Sequence, residues 1–452
     1  MKQAEALNIL KMGYNVFLTG QPGSGKTFLL NKYIDYLKKH KKKVAVTAST
    51  GIAATHMNGV TLHSWSGIKI KESFTRKDIE KIAADHYVVA RVGRTKVLII
   101  DEVSMLKPAQ LNAVNDICQI IRKNIAPFGG IQLVCSGDFF QLPPIEKNGK
   151  NTNFVLGSYV WKLAGMKVCY LDEQHRHKDK NLCKVLDHIR NDRAEKSKSL
   201  LLEKIQDAKA FQDPPMKLYT HNADVDFINN SELAKIEGEE FVYQMASVGP
   251  AWAVATLKRN CLASETLVLK TGSKVMFLKN NFDAGYVNGT QGTIIEFNEQ
   301  KMPVIETTFG KQIIIGYADW TIEENDIIVA KITQLPLRLA WAITVHKSQG
   351  MNLDAAEIDL SKCFVEGMGY VAISRLKSLE GLNLIGINDL AFCVNKKVVE
   401  LDKDLRNISK TISSDFRKMP FWEKTKKQKE FLKREAGPAS LFRNIKQWKR
   451  DV

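Results

Sequence analysis

Strand-length apolar runs alternate with helical patterns over the first 175 residues of the 452-residue chain. The runs lie at residues 15–19, 44–48, 97–100, 131–135 and 168–171. Between the first two runs, one apolar stripe at helical spacing is formed by Leu29, Leu30, Tyr33, Ile34 and Leu37. Strands that alternate with amphipathic helices are typical of a parallel sheet with helices on both faces. The pattern therefore predicts an α/β domain.

Three further segments differ from this alternation or resume it. Residues 66–95 are polar and charged, which predicts a small insertion. A strand and a helix follow residue 216 and predict a second α/β unit, whose pattern returns from residue 335 to about residue 390. Residues 270–334 hold short β-rich runs separated by turn residues, which is typical of a small barrel or a β-rich insert. The length alone favours about three domains.

The chain carries an unusually large positive net charge. The chain has 66 Lys and Arg against 49 Asp and Glu, a net charge of +17. Such a charge favours nucleic acid or an anionic membrane surface as partner, with a basic surface kept for solubility as the alternative. Residues 401–452 carry +8 of it among scattered aromatic residues. We predict a docked helical appendage here, and a mobile tail that touches DNA is the second interpretation.

Composition also excludes several classes of protein. With 44% hydrophobic and 25% charged residues, the chain is neither disordered nor fibrous. No apolar run approaches the roughly 20 residues that span a bilayer, and no secretory signal or presequence is recognisable, so we expect a cytoplasmic protein. The seven scattered cysteines form no C-x-x-C pair, which favours core positions over zinc or disulfides. We interpret His175 and His177 as a polar surface element.

A phosphate-binding loop is predicted after the first strand. Residues 20–27, GQPGSGKT, fit G-x-x-x-x-G-K-[ST] between a strand and a helix, and a chance glycine-rich turn is the alternative. Glycines let backbone N–H groups surround phosphate oxygens at a helix N-terminus. We expect the lysine to neutralise the β- and γ-phosphates and the threonine hydroxyl to bind Mg²⁺. The predicted ATP-binding residues of this loop are Gly23, Ser24, Gly25, Lys26 and Thr27.

Acidic and amide side chains follow two later strands. Asp101 ends the run VLIID and is expected to hold Mg²⁺, while Glu102 is placed to activate the attacking water. The alternative is that Glu102 begins a helix. Gln141 follows the strand that ends near Ser136 and is a candidate for sensing the γ-phosphate, although the prolines after it also fit a plain turn.

Several motifs follow one another along the chain. They are GYNVFLTGQPGSGKT, TASTGIAATHMNGVTLHSWSGI, IIDEVSML, SGDFFQLPP, LDEQHRH, VNGTQGTI, TVHKSQGMNLD and GMGYVAISRLKSLEGL. In this order they resemble the motifs of the Pif-type (petite integration frequency) helicases, a branch of superfamily 1B close to the RecD helicases. The resemblance runs from Gln3 to about Leu384, and IRKNIAPFGGIQL is similar to the family's signature segment.

The resemblance implies an α/β P-loop NTPase with two RecA-like domains and ATP in the cleft between them. The implied boundaries are 1–175 for domain 1A with 66–95 as a 1B-type insertion, 176–269 and 335–400 for domain 2A, 270–334 for an SH3-like 2B insertion, and 401–452 for the basic extension. The large N-terminal extension of some relatives is absent, which suggests a compact bacterial or phage-like form. We also expect the helix that frames adenine to be short.

The resemblance assigns further nucleotide contacts. Gln3 is expected to contact adenine, and Gly350 to join the nucleotide site. Arg176 and Arg375 are expected to reach the ATP phosphates from the second domain, because a guanidinium is always charged and offers a fork of donors. The residues named above keep their roles, with ATP and Mg²⁺ as the cofactors.

DNA contacts are also implied residue by residue. The matching positions are Thr50, Gly51, Thr61, His63, Ser64, Asn288, Gly289, Thr290, Thr344, His346, Lys347, Ser348 and Gln349. Hydroxyls and backbone amides hold phosphates without reading bases, which suits a motor. Phe139, Phe140 and Trp65 are open between base stacking and the core, whereas we expect Trp341 on a buried strand.

The implied activity is ATP-driven 5′-to-3′ translocation on single-stranded DNA, about one nucleotide per cycle, with duplex unwinding. The alternatives are a DNA-stimulated ATPase that remodels protein–DNA complexes, and a non-catalytic nucleic-acid binder. We expect a nucleoid-associated monomer that acts on forked or tailed duplexes and does not bind membranes. G-quadruplexes and RNA–DNA hybrids are further candidate substrates.

Overall fold

A computed structural model describes residues 1–57, 59–68, 73–143, 154–174, 179–206, 215–279, 281, 283–286, 288–307, 310–324 and 327–434. The chain divides into two compact units. The first takes its residues from Met1–Phe139, Pro143–Arg176 and Glu400–Val452. The second takes its residues from Phe140–Leu142 and His177–Val399.

The first unit is built on a six-stranded parallel sheet. Its strands are β1 (Val16–Gly20), β2 (Val44–Ala48), β3 (Val60–Thr61), β4 (Val97–Asp101), β5 (Gln132–Ser136) and β6 (Lys167–Leu171). They lie in the order β3-β2-β4-β5-β1-β6. Residues 97–100 of β4 are fully buried, as expected for a central parallel strand covered on both faces. The predicted α/β fold is therefore confirmed, and β3 is too short to give an apolar run.

Eight helices accompany this sheet in the described residues up to 174. They are α1 (Gln3–Lys11), α2 (Lys26–Lys39), α3 (Gly51–His56), α4 (Leu62–Ser66), α5 (Arg76–Ala83), α6 (His86–Arg94), α7 (Pro108–Arg122) and α8 (Tyr159–Leu163). The polar segment predicted as an insertion forms α5 and α6. Each begins at a side-chain cap, Thr75 and Asp85 respectively, because an oxygen there accepts from free N–H groups of the first turn.

The second unit contains a smaller parallel sheet and an antiparallel region. Its helices are α9 (Lys180–Arg190), α10 (Glu195–Gln206), α11 (Asn222–Lys235), α12 (Ala251–Asn260) and α13 (Met368–Ile373). The parallel sheet has the order β18-β7-β19-β20. Its strands are β7 (Lys217–Tyr219), β18 (Ala342–Thr344), β19 (Ala356–Leu360) and β20 (Leu382–Ile387).

The antiparallel region comprises β8 to β17. These strands are β8 (Phe241–Gln244), β9 (Ala246–Val248), β10 (Thr266–Leu269), β11 (Lys274–Phe277), β12 (Gln291–Phe297), β13 (Pro303–Thr307), β14 (Gln312–Ile314), β15 (Ala318–Glu324), β16 (Ile327–Gln334) and β17 (Leu337–Leu339). They form the sheets β14-β13-β12-β11-β17, β15-β16-β9 and β10-β8. Antiparallel strands thus extend beyond the predicted 270–334 at both ends, because β8 and β10 pair with each other and β17 completes the sheet of β11.

The prediction for Trp341 was wrong. The apolar run around it is not one strand, because it divides between β17 in the antiparallel sheet and β18 in the parallel sheet. Trp341 lies in the bend between them and is partly exposed. Core positions were predicted for all seven cysteines. Four are buried, namely Cys118, Cys135, Cys169 and Cys363, whereas Cys183, Cys261 and Cys393 are partly exposed.

Two helices end the described chain, α14 (Lys396–Lys418) and α15 (Phe421–Lys433). Phe431 of α15 is buried in the core cluster of the first unit, which agrees with the predicted docked appendage up to residue 434. Among the residues that the structure describes, no helix is both long enough and apolar enough to cross a membrane.

Candidate functional site

The predicted site residues of the first unit meet at one edge of its sheet. All neighbouring strands of this sheet are parallel, so their carboxyl ends lie together. The predicted phosphate loop follows β1, Thr50 follows β2, and Thr61 ends β3. Asp101 ends β4 at the same edge. Open parallel sheets bind ligands outside the carboxyl ends of their strands, so the arrangement is that of a ligand site.

The loop between β1 and α2 has the backbone of an anion cradle. Gly23 and Gly25 have φ angles of 82° and 84°, which side chains other than glycine rarely adopt. Gly25 is the cap residue of α2, so the free N–H groups of that helix face the loop. The loop therefore directs backbone donors and the positive helix end toward one point.

The side chains of Lys26 and Ser24 indicate which kind of ligand fits this loop. The Lys26 ammonium donates to the carbonyls of Gly20 at 2.8 Å and Gln21 at 3.2 Å, so it lies over the loop. Ser24 Oγ is buried and has no hydrogen-bond partner among the described residues. A buried hydroxyl without a partner is costly, and a phosphate oxygen would satisfy it. The side chains thus fit a nucleotide phosphate.

Gln3 is joined to the same loop. Its Nε2 donates to the carbonyl of Ser24 at 3.2 Å, and its backbone N–H donates to Glu173 Oε2 at 2.8 Å. Gln3 is the first residue of α1. The predicted adenine residue therefore lies beside the predicted phosphate residues.

Asp101 and Glu102 differ in their surroundings. Burial raises the pKa of Asp101, and the positive charge of Lys26 opposes this effect. Glu102 has a φ of 50° and directly precedes the 3₁₀ turn Val103–Met105. It therefore begins one short 3₁₀ turn and not an α-helix. Ser49 Oγ donates to the Glu102 carbonyl at 2.7 Å and fixes this left-handed backbone. Such a strained conformation is often found at functional sites.

The predicted DNA residues of the first unit cap two short helices. Thr50 Oγ1 accepts from the N–H of Ala53 at 3.3 Å, and Thr61 Oγ1 accepts from that of Ser64 at 3.1 Å. These hydroxyls thus shape the backbone of the motif. Burial lowers the pKa of His63, which favours its neutral form. The five predicted residues are all partly exposed, namely Thr50, Gly51, Thr61, His63 and Ser64.

Sequence reasoning missed Arg91 of α6. Its guanidinium donates to the carbonyls of Trp65 at 3.1 Å and Ser64 at 3.3 Å, which places a cation beside the predicted DNA motif. The sequence shows Arg91 only as one of several basic residues in the charged segment 66–95. It does not show which other segment Arg91 contacts. Trp65 itself is buried, which assigns it to the core.

In the second unit, the predicted DNA motif 344–349 forms a tight turn after β18. Thr344 Oγ1 accepts from the N–H of Lys347 at 3.3 Å, and Ser348 Oγ donates to the carbonyl of Val345 at 2.8 Å. Thr344 and Ser348 are buried, whereas His346 and Lys347 are partly exposed. Burial lowers the pKa of both His346 and Lys347.

The loop motif 288–290 lies next to this turn. Gly289 donates from its N–H to Phe277 and Phe277 donates to Thr290, each at 2.9 Å, so the loop is fixed to β11. A Cβ on Gly289 would lie 3.3 Å from the carbonyl oxygen of Asn352, which follows the motif 344–349. The second unit therefore brings together two predicted motifs that lie far apart in the chain, with Asn288 in the same loop.

Gln141 contacts a predicted DNA residue. Gln349 Nε2 donates to Gln141 Oε1 at 3.2 Å, and both side chains are buried. Phe140 is also buried, and its ring centre lies 4.0 Å from the guanidinium carbon of Arg190. Phe139 packs on Phe17 in the first unit at 5.4 Å between ring centres. Both phenylalanines therefore have core positions.

Arg375 and Gly350 are further described residues of the second unit that are predicted to contact the nucleotide. Arg375 is 1% exposed, and its guanidinium donates to Val371 O at 3.0 Å and Ser374 Oγ at 2.8 Å. These contacts lie within its own unit, and its contact with ATP stays a prediction. Gly350 is exposed with a φ of 83°. Arg176, His175 and His177 lie outside the described residues.

Comparisons with known proteins agree with this geometry. The family described as PIF1-like helicase matches residues 2–210, and the 2B domain of DNA helicase Pif1 matches residues 254–297. An ATP-dependent DNA helicase Pif1 from Psychrobacter sp. (strain PRwf-1) is 45% identical, over 90% of this chain and 71% of the relative.

Solved structures agree as well. Bacteroides sp. Pif1 in complex with ADP-AlF4 is 30% identical, with a TM-score of 0.77 over 90% of this chain and 96% of that one. Bacteroides Pif1 bound to single-stranded DNA is 29% identical, with a TM-score of 0.60 over the same shares. The extent of these matches and the order of the motifs lead to one conclusion. The chain belongs to the Pif1-like family of ATP-dependent DNA helicases.

Proposed function

We propose that this helicase uses Mg²⁺-bound ATP to move 5′-to-3′ along single-stranded DNA and to open duplex DNA ahead of it. The observation that supports this most directly is the carboxyl edge of the first sheet. There the phosphate loop, the acid pair and the hydroxyl motif of Thr50 and Thr61 share one rigid scaffold. Nucleotide chemistry and a DNA grip on the same sheet are what an ATP-driven motor requires.

The nucleotide roles follow from the side chains. Lys26 and the loop N–H groups bind the β- and γ-phosphates, and the buried Ser24 hydroxyl donates to a phosphate oxygen. Thr27 and Asp101 hold Mg²⁺, which screens the phosphate charge when it is bound. Glu102 orients and deprotonates the attacking water, and Gln3 contacts adenine. Asp101 has to be ionised to hold the cation, and the charge of Lys26 favours that state.

Coupling between hydrolysis and movement is assigned to the remaining polar residues. Gln141 senses the γ-phosphate, and Arg176 and Arg375 bind it from domain 2A, with Gly350 near the nucleotide. When phosphate leaves, these groups lose a common partner, and the DNA grips of the two RecA-like domains alternate. The domains are the proposed 1A, 2A and 2B, with β8 to β17 as the core of the 2B region.

Single-stranded DNA is the proposed track, and forked or tailed duplexes are the proposed substrates. Support comes from the Bacteroides relative solved with single-stranded DNA and from the net charge of +17. The residues that match DNA motifs offer hydroxyls, amides, two imidazoles and one lysine, which bind phosphates without reading sequence. We propose a nucleoid-associated monomer, with G-quadruplexes and RNA–DNA hybrids as further substrates.

Translocation polarity tests this proposal without any duplex. A biotinylated oligonucleotide carries streptavidin at its 3′ or its 5′ end, and displacement is measured with ATP. We expect rapid displacement from the 3′ end and slow displacement from the 5′ end. Faster release from the 5′ end would overturn the polarity. ATP hydrolysis with release from neither end would argue against directional translocation.

A further inference from the structure

Helix α1 carries the proposed adenine residue at its first position and is held differently at its two ends. At its carboxyl end, the Leu10 carbonyl accepts from Tyr33 Oη and from Gln132 Nε2, each at 3.0 Å. These partners belong to α2 and β5, the body of the first unit. The amino end, where Gln3 lies, is bonded to the body of the unit through Met1, which donates to the Tyr170 carbonyl, and through the Gln3 N–H, which donates to Glu173. It also contacts α14 through Glu5, whereas α15 packs just after the carboxyl end of α1, at Gly13.

Glu5 supplies the polar part of this contact. It lies two residues after Gln3, and its carboxylate accepts from Arg417 Nε at 2.5 Å and from Ser413 Oγ at 3.1 Å. The hydrogen bond from Arg417 lowers the pKa of Glu5. Arg417 is 64% exposed, so its ion pair alone is weak. Ser413 is buried, and its bond therefore fixes the direction of the carboxylate more firmly.

Apolar packing joins the C-terminal helices to the rest of α1. Phe431 lies in the core cluster that contains Ala6, Ile9 and Leu10 of α1. A Cβ on Gly13 would lie 2.3 Å from its ring, so only glycine permits this approach just after α1. Ile412 and Phe416 of α14, and Met419 directly after it, pack on the same cluster. The ring of Phe431 therefore acts as the contact surface between α15 and α1.

Gln3 links this arrangement to the nucleotide. Its side chain reaches the carbonyl of Ser24 in the phosphate loop at 3.2 Å. A shift of the amino end of α1 would change the distance between the proposed adenine contact and the proposed phosphate contacts. Misplacement of about 1 Å by a distant change can already cost an enzyme on the order of a hundredfold in rate.

We infer that α14 and α15 are a positioning element for recognition of the nucleotide base, acting through Glu5, Gly13 and the buried face of α1. This inference rests on the proposed adenine role of Gln3. The matched family segments end at residue 297, so neither includes these helices. The basic extension thus has a role at the ATP site, in addition to any role of its charge.

The experiment is steady-state hydrolysis of ATP and of GTP by the full chain with saturating single-stranded DNA. The variants are the double substitution Ser413→Ala and Arg417→Ala, and separately Phe431→Leu. We expect the KM for ATP to rise about fivefold, as for one lost hydrogen bond, with the KM for GTP and both kcat values unchanged. A merely structural role would instead lower kcat for both nucleotides alike.

Three controls separate the possible failures. Trp422→Ala changes an α15 side chain that is 66% exposed, and it should leave the ratio of KM values unchanged. Gln3→Ala should lose the preference for ATP, and adding the tail substitutions to it should have no further effect. A normal preference in Gln3→Ala would contradict the adenine role itself. If Gln3→Ala loses the preference for ATP while both tail variants keep it, the positioning role alone is overturned.

Discussion

Gln349 donates a hydrogen bond from Nε2 to Oε1 of Gln141 across 3.2 Å, and the two side chains are 8% and 6% exposed. The proposed DNA turn and the proposed γ-phosphate sensor are thus in direct contact. Both amides are buried, where a hydrogen bond is stronger than in water, so a rotation of one side chain changes the energy of the other. This contact offers a short path by which DNA binding affects hydrolysis.

Gln349→Ala should therefore weaken the stimulation of ATP hydrolysis by DNA. The change leaves the Gln141 amide oxygen without this donor, and we expect the ratio of stimulated to basal kcat to fall about fivefold to tenfold. The measurement is hydrolysis with and without saturating single-stranded DNA. In a cycle with Gln141→Ala, the double variant should lose no more than either single variant. Additive losses would show that the two residues act independently.

Lys26→Ala should abolish ATP hydrolysis. The substitution removes the charge that lies over the phosphate loop, and loss of such a transition-state donor costs on the order of a hundredfold or more in kcat. The assay is phosphate release at saturating ATP and DNA. Turnover at the wild-type rate would place the hydrolytic site elsewhere in the chain.

Arg375→Ala should reduce turnover while the protein still binds DNA. If this guanidinium stabilises the transferring phosphate, kcat should fall by roughly a thousandfold. Arg375 is buried and bonded to Val371 and Ser374, so Arg375→Lys serves as the matched variant that retains charge without the fork of donors. Fluorescence anisotropy with single-stranded DNA reports binding. Unchanged turnover in both variants would remove Arg375 from the ATP site.

Lys96 should make the first unit more stable as the pH rises above 8. Burial, and then the positive charges of Lys42, Arg434 and Arg122, lower the pKa of Lys96 to about 8. The unfolded chain keeps the ordinary higher pKa, so between about pH 8 and 10.5 it binds more protons than the folded chain. Unfolding free energy therefore increases with pH in this window, by up to about 2 kcal/mol between pH 8 and 9.5.

Thermal unfolding at pH 7.5 and 9.5 measures this effect. Lys96→Met removes the titrating group, so the wild-type chain should gain stability relative to this variant at the higher pH. The same pH response in both proteins would show that Lys96 titrates normally, and that its contact with Arg434 O is not enclosed as the structure describes.

Local patterns predicted where the phosphate loop and the acid pair lie in the fold. The phosphate loop and acid pair depend on strand, turn and helix signals within a few residues, so their places at the sheet edge followed from the sequence. The contact between Gln141 and Gln349 joins residues 208 positions apart, and no local pattern encodes it. Arg91 was missed for the same reason. Trp341 was misplaced because an apolar run does not show where a chain changes sheets.

Unwinding of tailed duplexes tests the central claim most directly. One duplex carries a 5′ single-stranded tail and the other a 3′ tail, and strand separation is followed with ATP and Mg²⁺, with Lys26→Ala as the blank. Opening of the 5′-tailed duplex alone is the result that a 5′-to-3′ helicase with its ATP site at Lys26 must give. Opening of the 3′-tailed duplex alone, or equal opening by Lys26→Ala, would contradict it.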